Sequence, residues 1–309
     1  MSSNTEVNYF FKPCKQLIPR EAELRLVEHF NKYATKLDDV VNFGSQVLTW
    51  EVQQLKNEEY ISTPLTLLRE SLDLTDSCAI LLSKGAADSA KILTRSLFEL
   101  FLSIGYLCKA DTKQRSYAYM VSSILDDIKY HNSVLQTYSQ KNGKVKMPLS
   151  EEQILEIKEL IWGKESLFDM PGYEDAYKYY CTETERRKRI KNNRKLENWY
   201  SYYDGPRNLR GLSAELGADD AYTFFYSKYS KAAHGNESFL GKMVSSGEYS
   251  AEMVQLRSFS DLQSVFHYIF MFSTSILETY LSTILPERSA ELEIFRSWSR
   301  QEMVKLIKD

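Results

Sequence analysis

The chain has 309 residues, of which 43% are hydrophobic and 26% charged, and this composition predicts a globular protein with a substantial core. Its formal net charge of -3 argues against a protein that coats nucleic acid, which would need a broad excess of Lys and Arg. The four cysteines are far apart and form no C-x-x-C pair, so we expect neither a disulfide framework nor a zinc site, and a cytoplasmic location fits.

The first residues, MSSNTEVNYF, have neither the basic start nor the apolar core of a signal peptide, so we do not expect secretion. From Arg20 to Leu55 apolar residues recur at steps of three and four, which predicts a helix with one buried face. A second helix follows Pro64, and the apolar stretch after Gly85 predicts the central helix of the fold.

The middle of the chain is more polar. The segment from Lys141 to Pro148 interrupts the helical pattern, and Ser150 with Gln153 then predicts a capping box that opens a short helix. Turn signals at 170–172 and 204–206 enclose a polar helix.

The last third predicts a helix over about 219–234, a long helix over about 250–285 and a helix after Pro286. Within the long helix, 264–285 is apolar enough to suggest a membrane span. It contains His267, Glu278 and several hydroxyl residues, so we interpret it as a buried core helix and expect no membrane association.

Glycine and proline are scarce, and no segment shows a convincing strand alternation. The sequence therefore predicts an all-α fold: a large bundle of antiparallel helix pairs with about nine or ten helices. We expect an N-terminal helical segment over 1–60, a main helical domain over 61–290 with a polar and basic insertion at about 141–205, and a C-terminal helix over 291–309.

Three polar residues near the end of one predicted helix form the first candidate site. Tyr226, Ser230 and His234 are each four residues apart and therefore share one helix face. Gly235 suits a left-handed cap after His234, which places the imidazole at the negative end of the helix dipole and favours its protonated form. His234 is thus either a general acid or base, or a structural cap.

A second candidate is the pair Arg95 and Glu99, one turn apart on the predicted central helix. Charges on so apolar a helix need partners that offset the cost of desolvation. The pair is either an internal salt bridge or part of a site, because the planar guanidinium group of Arg suits phosphate oxygens.

A third candidate is the basic run, residues 186–195, which precedes several aromatic residues. Basic and aromatic side chains together are typical of proteins that hold single-stranded nucleic acid, whereas a solvated helix face is the structural alternative. Its seven cations are Arg186, Arg187, Lys188, Arg189, Lys191, Arg194 and Lys195.

Several enzyme signatures are missing from the sequence. There is no Gly-rich phosphate loop, no G-x-S-x-G and no H-E-x-x-H, and the other histidines lack the spacing of metal ligands. We therefore expect neither a metal nor a cofactor.

The order of polar motifs resembles a bacterial family known as domain of unknown function 5677. The likeness covers about Leu65 to Leu285 and lies in A-x-x-x-x-R-S-L-F-E-L, in N-W at 198–199 and in the region of His234 and Gly235. The resemblance implies an intracellular helical protein whose recurring polar residues are Arg95, Glu99, Ser230 and His234.

A more distant resemblance is to the HEPN superfamily of helical ribonucleases, found in toxin–antitoxin and phage-defence systems. Their pattern has Arg separated by four to six residues from a His near a helix end, and here five residues separate Lys228 from His234. Lys supplies charge without the bidentate geometry of Arg, so the phosphate-binding cation is either Lys228 or, from the neighbouring helix, Arg95.

Two hypotheses follow. In the first, the chain is a HEPN-like, metal-independent ribonuclease that binds RNA, and it acts as a homodimer or with a protein partner of a defence system. In the second, it is a non-enzymatic helical interaction or small-anion sensing protein with a buried network of Arg95, Glu99, Tyr226, Ser230 and His234.

Overall fold

The structure is a computed structural model. It describes residues 20–54, 58–138, 149–189, 196, 198–233, 243–247, 250–257 and 261–308. These residues are almost entirely helical, with ten α-helices and one two-stranded hairpin, which confirms the predicted all-α bundle.

The elements are given in chain order. The α-helices are α1 (Arg20–Gln54), α2 (Ser62–Ser83), α3 (Ala87–Lys109), α4 (Thr112–Tyr138), α5 (Glu151–Glu165), α6 (Tyr173–Arg189), α7 (Leu209–Glu215), α8 (Ser227–Ala233), α9 (Leu262–Ile284) and α10 (Ser289–Lys308). The strands are β1 (Met243–Gly247) and β2 (Ser250–Met253). Shorter turns are the 3-10 helices Glu59–Ile61, Ser166–Asp169, Trp199–Asp204 and Pro286–Arg288 and the π-helical turn Ala221–Tyr226.

The chain divides into two compact units. The first comprises Met1–Lys56, Leu65–Gly105 and Ala218–Asp309. The second comprises Asn57–Pro64 and Tyr106–Gly217, and the predicted insertion at about 141–205 falls within it.

Helix α9 lies in the core of the first unit. Twelve of its 23 residues are buried, among them Phe266, Phe270, Phe272 and Tyr280. Thr75 of α2 and Ser273 of α9 share a buried hydrogen bond of 2.7 Å between their hydroxyl groups.

Over the described ranges, no single helix is long and apolar enough to cross a membrane. Helix α9 and the segment after it reach the necessary length and hydropathy only together, as a pair bent by 118°.

Phe98 of α3 anchors the aromatic packing in the same unit. Its side chain is fully buried, and its ring centroid lies 5.6 Å from that of Phe225, 5.6 Å from that of Tyr226 and 5.2 Å from that of Phe272. Helix α3, predicted as the central helix, therefore joins α9 and the turn before α8 through one side chain.

The second unit has a core rich in tyrosine. The rings of Phe168 and Tyr177 stack in parallel at 4.0 Å between centroids, and Tyr117 meets Tyr173 edge to face at 5.2 Å. Tyr202, one of the aromatic residues after the basic run, is buried in this core.

Both predicted turns are present, and each requires its glycine. Gly172 has φ +90°, and a Cβ atom there would overlap the ring of Tyr117. A Cβ atom at Gly205 would overlap the carbonyl oxygen of Tyr200.

Helix α5 begins with the predicted capping box. Ser150 Oγ accepts a hydrogen bond from the backbone amide of Gln153, and Gln153 Oε1 accepts one from the backbone amide of Ser150.

The hairpin overturns part of one prediction: the long helix expected over about 250–285 begins only at Leu262, and residues 250–253 form β2 instead. Strands β1 and β2 are antiparallel, with Met243 opposite Met253 and Val244 opposite Glu252. The strands have five and four residues and contain serine, so their side chains show too little alternation for a strand to be predicted.

Candidate functional site

Arg95 and Glu99 lie on the part of α3 that belongs to the first unit, next to the fully buried Leu97 and Phe98. Their side chains are 24% and 43% exposed, and Arg95 Nε lies 3.4 Å from Glu99 Oε1. The apolar face of α3 therefore holds this ion pair at the boundary between core and solvent.

Tyr226 reaches this pair from the π-helical turn Ala221–Tyr226. Phe225 is fully buried, and Tyr226 beside it packs on Phe98 and stacks on Tyr222 at 5.2 Å between ring centroids. A π-helical turn is rare and is often found at a functional site. Here it directs two consecutive aromatic side chains onto α3.

Two hydrogen bonds and one ion pair join the three side chains, which we call the Arg95 network (Arg95, Glu99 and Tyr226). Arg95 Nη2 donates to Tyr226 Oη at 3.0 Å, and Tyr226 Oη donates to Glu99 Oε1 at 3.0 Å. The guanidinium carbon also lies 5.1 Å from the centroid of the tyrosine ring. Arg95 and Glu99 therefore share one partner, Tyr226, on the turn before α8.

The phenol of Tyr226 stays protonated in this setting. Burial is the main cause that raises the pKa of Tyr226, and the Glu99 carboxylate adds to it against the opposing effect of Arg95. A neutral hydroxyl that accepts from Arg95 and donates to Glu99 fixes the orientation of both side chains. The network thus presents a fixed, planar cation at a partly exposed position, which is what recognition of a phosphate or another oxyanion needs.

The remaining predicted residues lie on or after α8. Ser230 is half-buried one turn after Tyr226, and Lys228 is exposed. His234 and Gly235 lie outside the described residues. The structure thus brings together Arg95, Glu99 and Tyr226, while the place of His234 stays a prediction.

Sequence reasoning did not single out Lys91, one turn before Arg95. Its ammonium group is buried and binds Asp88 at 2.9 Å and Asp261 at 2.7 Å, just before α9. Burial would lower the pKa of Lys91, but the hydrogen bonds to Asp261 and Asp88 outweigh it, so the pKa lies above its ordinary value. The spacing of four residues between Lys91 and Arg95 could have indicated Lys91, because it places both cations on one face of α3.

The described part of the basic run has acidic partners. Glu183 accepts two hydrogen bonds from Arg186, at 2.6 and 2.7 Å, and one from Arg187 at 2.6 Å. Arg189 lies 3.9 Å from Glu185 and, like Lys188, is exposed. Lys191, Arg194 and Lys195 lie outside the described residues. Glutamates three or four residues before the arginines that they pair with thus neutralise part of the charge of the run.

We expect Glu183→Gln to destabilise the protein more at pH 7 than at pH 3. Hydrogen bonds from Arg186 and Arg187 lower the pKa of Glu183 from 4.5 to about 2. Because these hydrogen bonds favour the ionised carboxylate in the folded state, Glu183 stabilises the fold at pH values above its ordinary pKa of 4.5. This contribution is lost as the pH falls toward 2. Urea unfolding of both proteins at the two pH values measures the difference.

Glu185→Gln is the matched control, because Glu185 is exposed and only 3.9 Å from Arg189. We expect it to change stability little at either pH. An equal cost of Glu183→Gln at pH 7 and pH 3 would contradict the assigned ion pairs.

In the portions of the chain that the structure describes, no group of three or more His, Cys, Asp or Glu side chains is arranged to hold a metal ion.

A model of a family described as "Family of unknown function (DUF5677)" matches residues 62–250, which is more than half of the chain. The match includes the Arg95 network, Lys228, Ser230 and His234. Neither the curated proteins nor the solved structures provide a significant match.

Proposed function

The chain belongs to the DUF5677 family of unknown function, and from that premise we propose that it is a HEPN-like, metal-independent ribonuclease of a toxin or phage-defence system. The observation that carries the proposal is the Arg95 network. It holds a guanidinium group at a partly exposed position, 3.0 Å from a side chain of the helical segment that precedes the predicted acid–base residue, His234, in the sequence.

The proposed roles follow from the chemistry of each group. Arg95 binds the phosphate, Glu99 and Tyr226 orient Arg95, and Lys228 adds positive charge at the exposed surface. Ser230 positions His234, one turn further along the chain. The partly neutralised basic run contributes Lys188 and the cations beyond Arg189 to RNA binding.

The proposed reaction is an internal phosphoryl transfer. Water takes the proton of the ribose 2′-hydroxyl as the 2′-oxygen bonds to phosphorus. The bond between phosphorus and the 5′-oxygen breaks, and the protonated imidazole of His234 donates its proton to the leaving oxygen. The products carry a 2′,3′-cyclic phosphate and a 5′-hydroxyl group, and neither a metal nor a cofactor takes part.

We expect the purified wild type to cleave total RNA in the presence of EDTA and His234→Ala to lose this activity. Product ends are assigned by their reactivity toward kinase and phosphatase, and growth after induction gives a cellular readout. The melting temperature of the variant serves as the control for folding. If neither protein cuts RNA and the variant melts several degrees lower, His234 is a structural cap and the proposal fails.

A second candidate is a non-enzymatic helical protein that binds a small anion. It is favoured by the limited exposure of Arg95, whose side chain is 24% exposed, because a small anion needs less access to the guanidinium group than an RNA strand does. In that case phosphate raises the melting temperature of the wild type but not of Arg95→Ala, since only the folded site binds the anion. Such a shift in a protein without RNA cleavage would favour this candidate.

A further inference from the structure

Helix α5 in the second unit has apolar side chains on two faces. Its inner face carries Ile161, which is buried, and Ile154 and Ile157, which are half-buried. On the rest of its surface Leu155 is 57%, Leu160 53% and Trp162 73% exposed. Exposed single apolar residues are ordinary, but three large ones on a helix of 15 residues are typical of an interaction surface.

Of these side chains, Leu160 lines an open groove of about 650 Å³ together with Glu156, Glu159, Gly163 and Lys164. In the described part of the chain, no atom lies within 4 Å of a Cβ atom built at Gly163. Gly163 lies in the last turn of α5, and glycine is a poor helix former there. The space above it instead lets a second backbone approach α5 closely.

The charge of α5 determines which kind of partner can bind its outward face. Helix α5 has five glutamates and two lysines, a formal charge of -3, and Lys164 is bound to Asp127 of α4 at 2.7 Å. An acidic face repels RNA, an anionic membrane and the same face of a second copy. It attracts a basic surface and adds specificity to an apolar contact.

We propose that the outward face of α5 docks a basic amphipathic helix of a partner protein. The apolar side chains of that helix cover Leu155 and Trp162, which are seven residues apart and share one side of α5, and its Lys or Arg side chains pair with Glu156 and Glu159. This is a helix-to-helix mode of recognition, and Trp162, the most exposed of the large apolar side chains of α5, is its anchor. The inference is independent of the proposed ribonuclease activity, because it concerns a different surface and chemistry.

The test uses the full chain and labelled synthetic helices of leucine, alanine and lysine, about 18 residues or five turns long. The peptide set places leucine at i, i+4 and i+7 in both chain directions, and scrambled peptides of the same composition serve as controls. Fluorescence anisotropy measures binding at low and high salt. We expect at least one amphipathic peptide to bind, and its affinity to fall as salt rises.

We expect Trp162→Ala to weaken binding at least about tenfold, as removal of an anchor does. The double variant Glu156→Gln/Glu159→Gln should weaken it most at low salt. The matched control is Ile294→Ala, since Ile294 is 72% exposed on α10 and is remote in sequence from the groove. This control should leave binding unchanged.

Gly163→Ala separates docking from folding, because the two readouts should move in opposite directions. The added methyl group meets no described atom, so the melting temperature should rise, while the obstructed approach should weaken peptide binding. The proposal is overturned if no amphipathic peptide binds up to about 100 μM. It is also overturned if scrambled peptides bind equally well, if Trp162→Ala has no effect, or if this face proves to join two copies of the chain.

Discussion

Replacing Arg95 by alanine is expected to lower metal-independent RNA cleavage by about 10²-fold or more, the usual effect of removing a group that stabilises charge in a transition state. Arg95 is the cation of the Arg95 network and is held by Tyr226 at 3.0 Å and by Glu99 at 3.4 Å. The measurement is the initial cleavage rate of one defined RNA in EDTA, with the melting temperature as the control for folding.

Two further variants separate charge from geometry. Arg95→Lys keeps the charge but loses the planar group, so its rate should lie between those of the wild type and Arg95→Ala. Tyr226→Phe removes only the hydroxyl that joins Arg95 to Glu99, and a reduced rate with unchanged folding would show that orientation matters. A folded Arg95→Ala variant that cleaves RNA at the wild-type rate would exclude Arg95 from catalysis.

Phe98→Ala is expected to lower the free energy of unfolding by about 3–5 kcal/mol, the range for phenylalanine truncation in a well-packed core. The ring of Phe98 is fully buried and lies within 6 Å of the rings of Phe225, Tyr226 and Phe272. Its loss leaves a cavity between α3, α9 and the π-helical turn. Urea unfolding followed by circular dichroism measures the change.

The matched control is Phe101→Ala on the same helix. Phe101 is half-buried and stacks on Phe272 at 5.5 Å, so its truncation opens less enclosed space and should cost less. Equal costs for the two variants would contradict the assignment of Phe98 as the anchor.

The helices could be predicted because local signals determine them. Apolar residues at steps of three and four indicated α1, Pro64 and the apolar stretch after Gly85 indicated α2 and α3, and the capping box at Ser150 and Gln153 indicated the start of α5. The buried character of α9 followed from its apolar sequence with few charges. The hairpin β1–β2 could not be predicted, because strands this short depend on pairing rather than on periodicity.

The candidate site was only partly predictable, for a physical reason. The pairing of Arg95 with Glu99 follows from their spacing of one helical turn. The bridge by Tyr226 joins residues 127 and 131 positions apart, and no local pattern reports such a tertiary contact. The basic run was interpreted from its cations alone. Glu183 lies three residues before Arg186 and four before Arg187, and it binds both of them.

The claim that Arg95 and His234 act in one site is tested most directly by a double-mutant cycle on RNA cleavage. Rates are measured in EDTA for the wild type, Arg95→Ala, His234→Ala and the double variant, with all four shown to be folded. Residues that act as a unit have strongly non-additive effects, so we predict that the double variant is about as slow as the slower single variant. Effects that multiply independently, or a wild type that does not cleave RNA, would contradict the account.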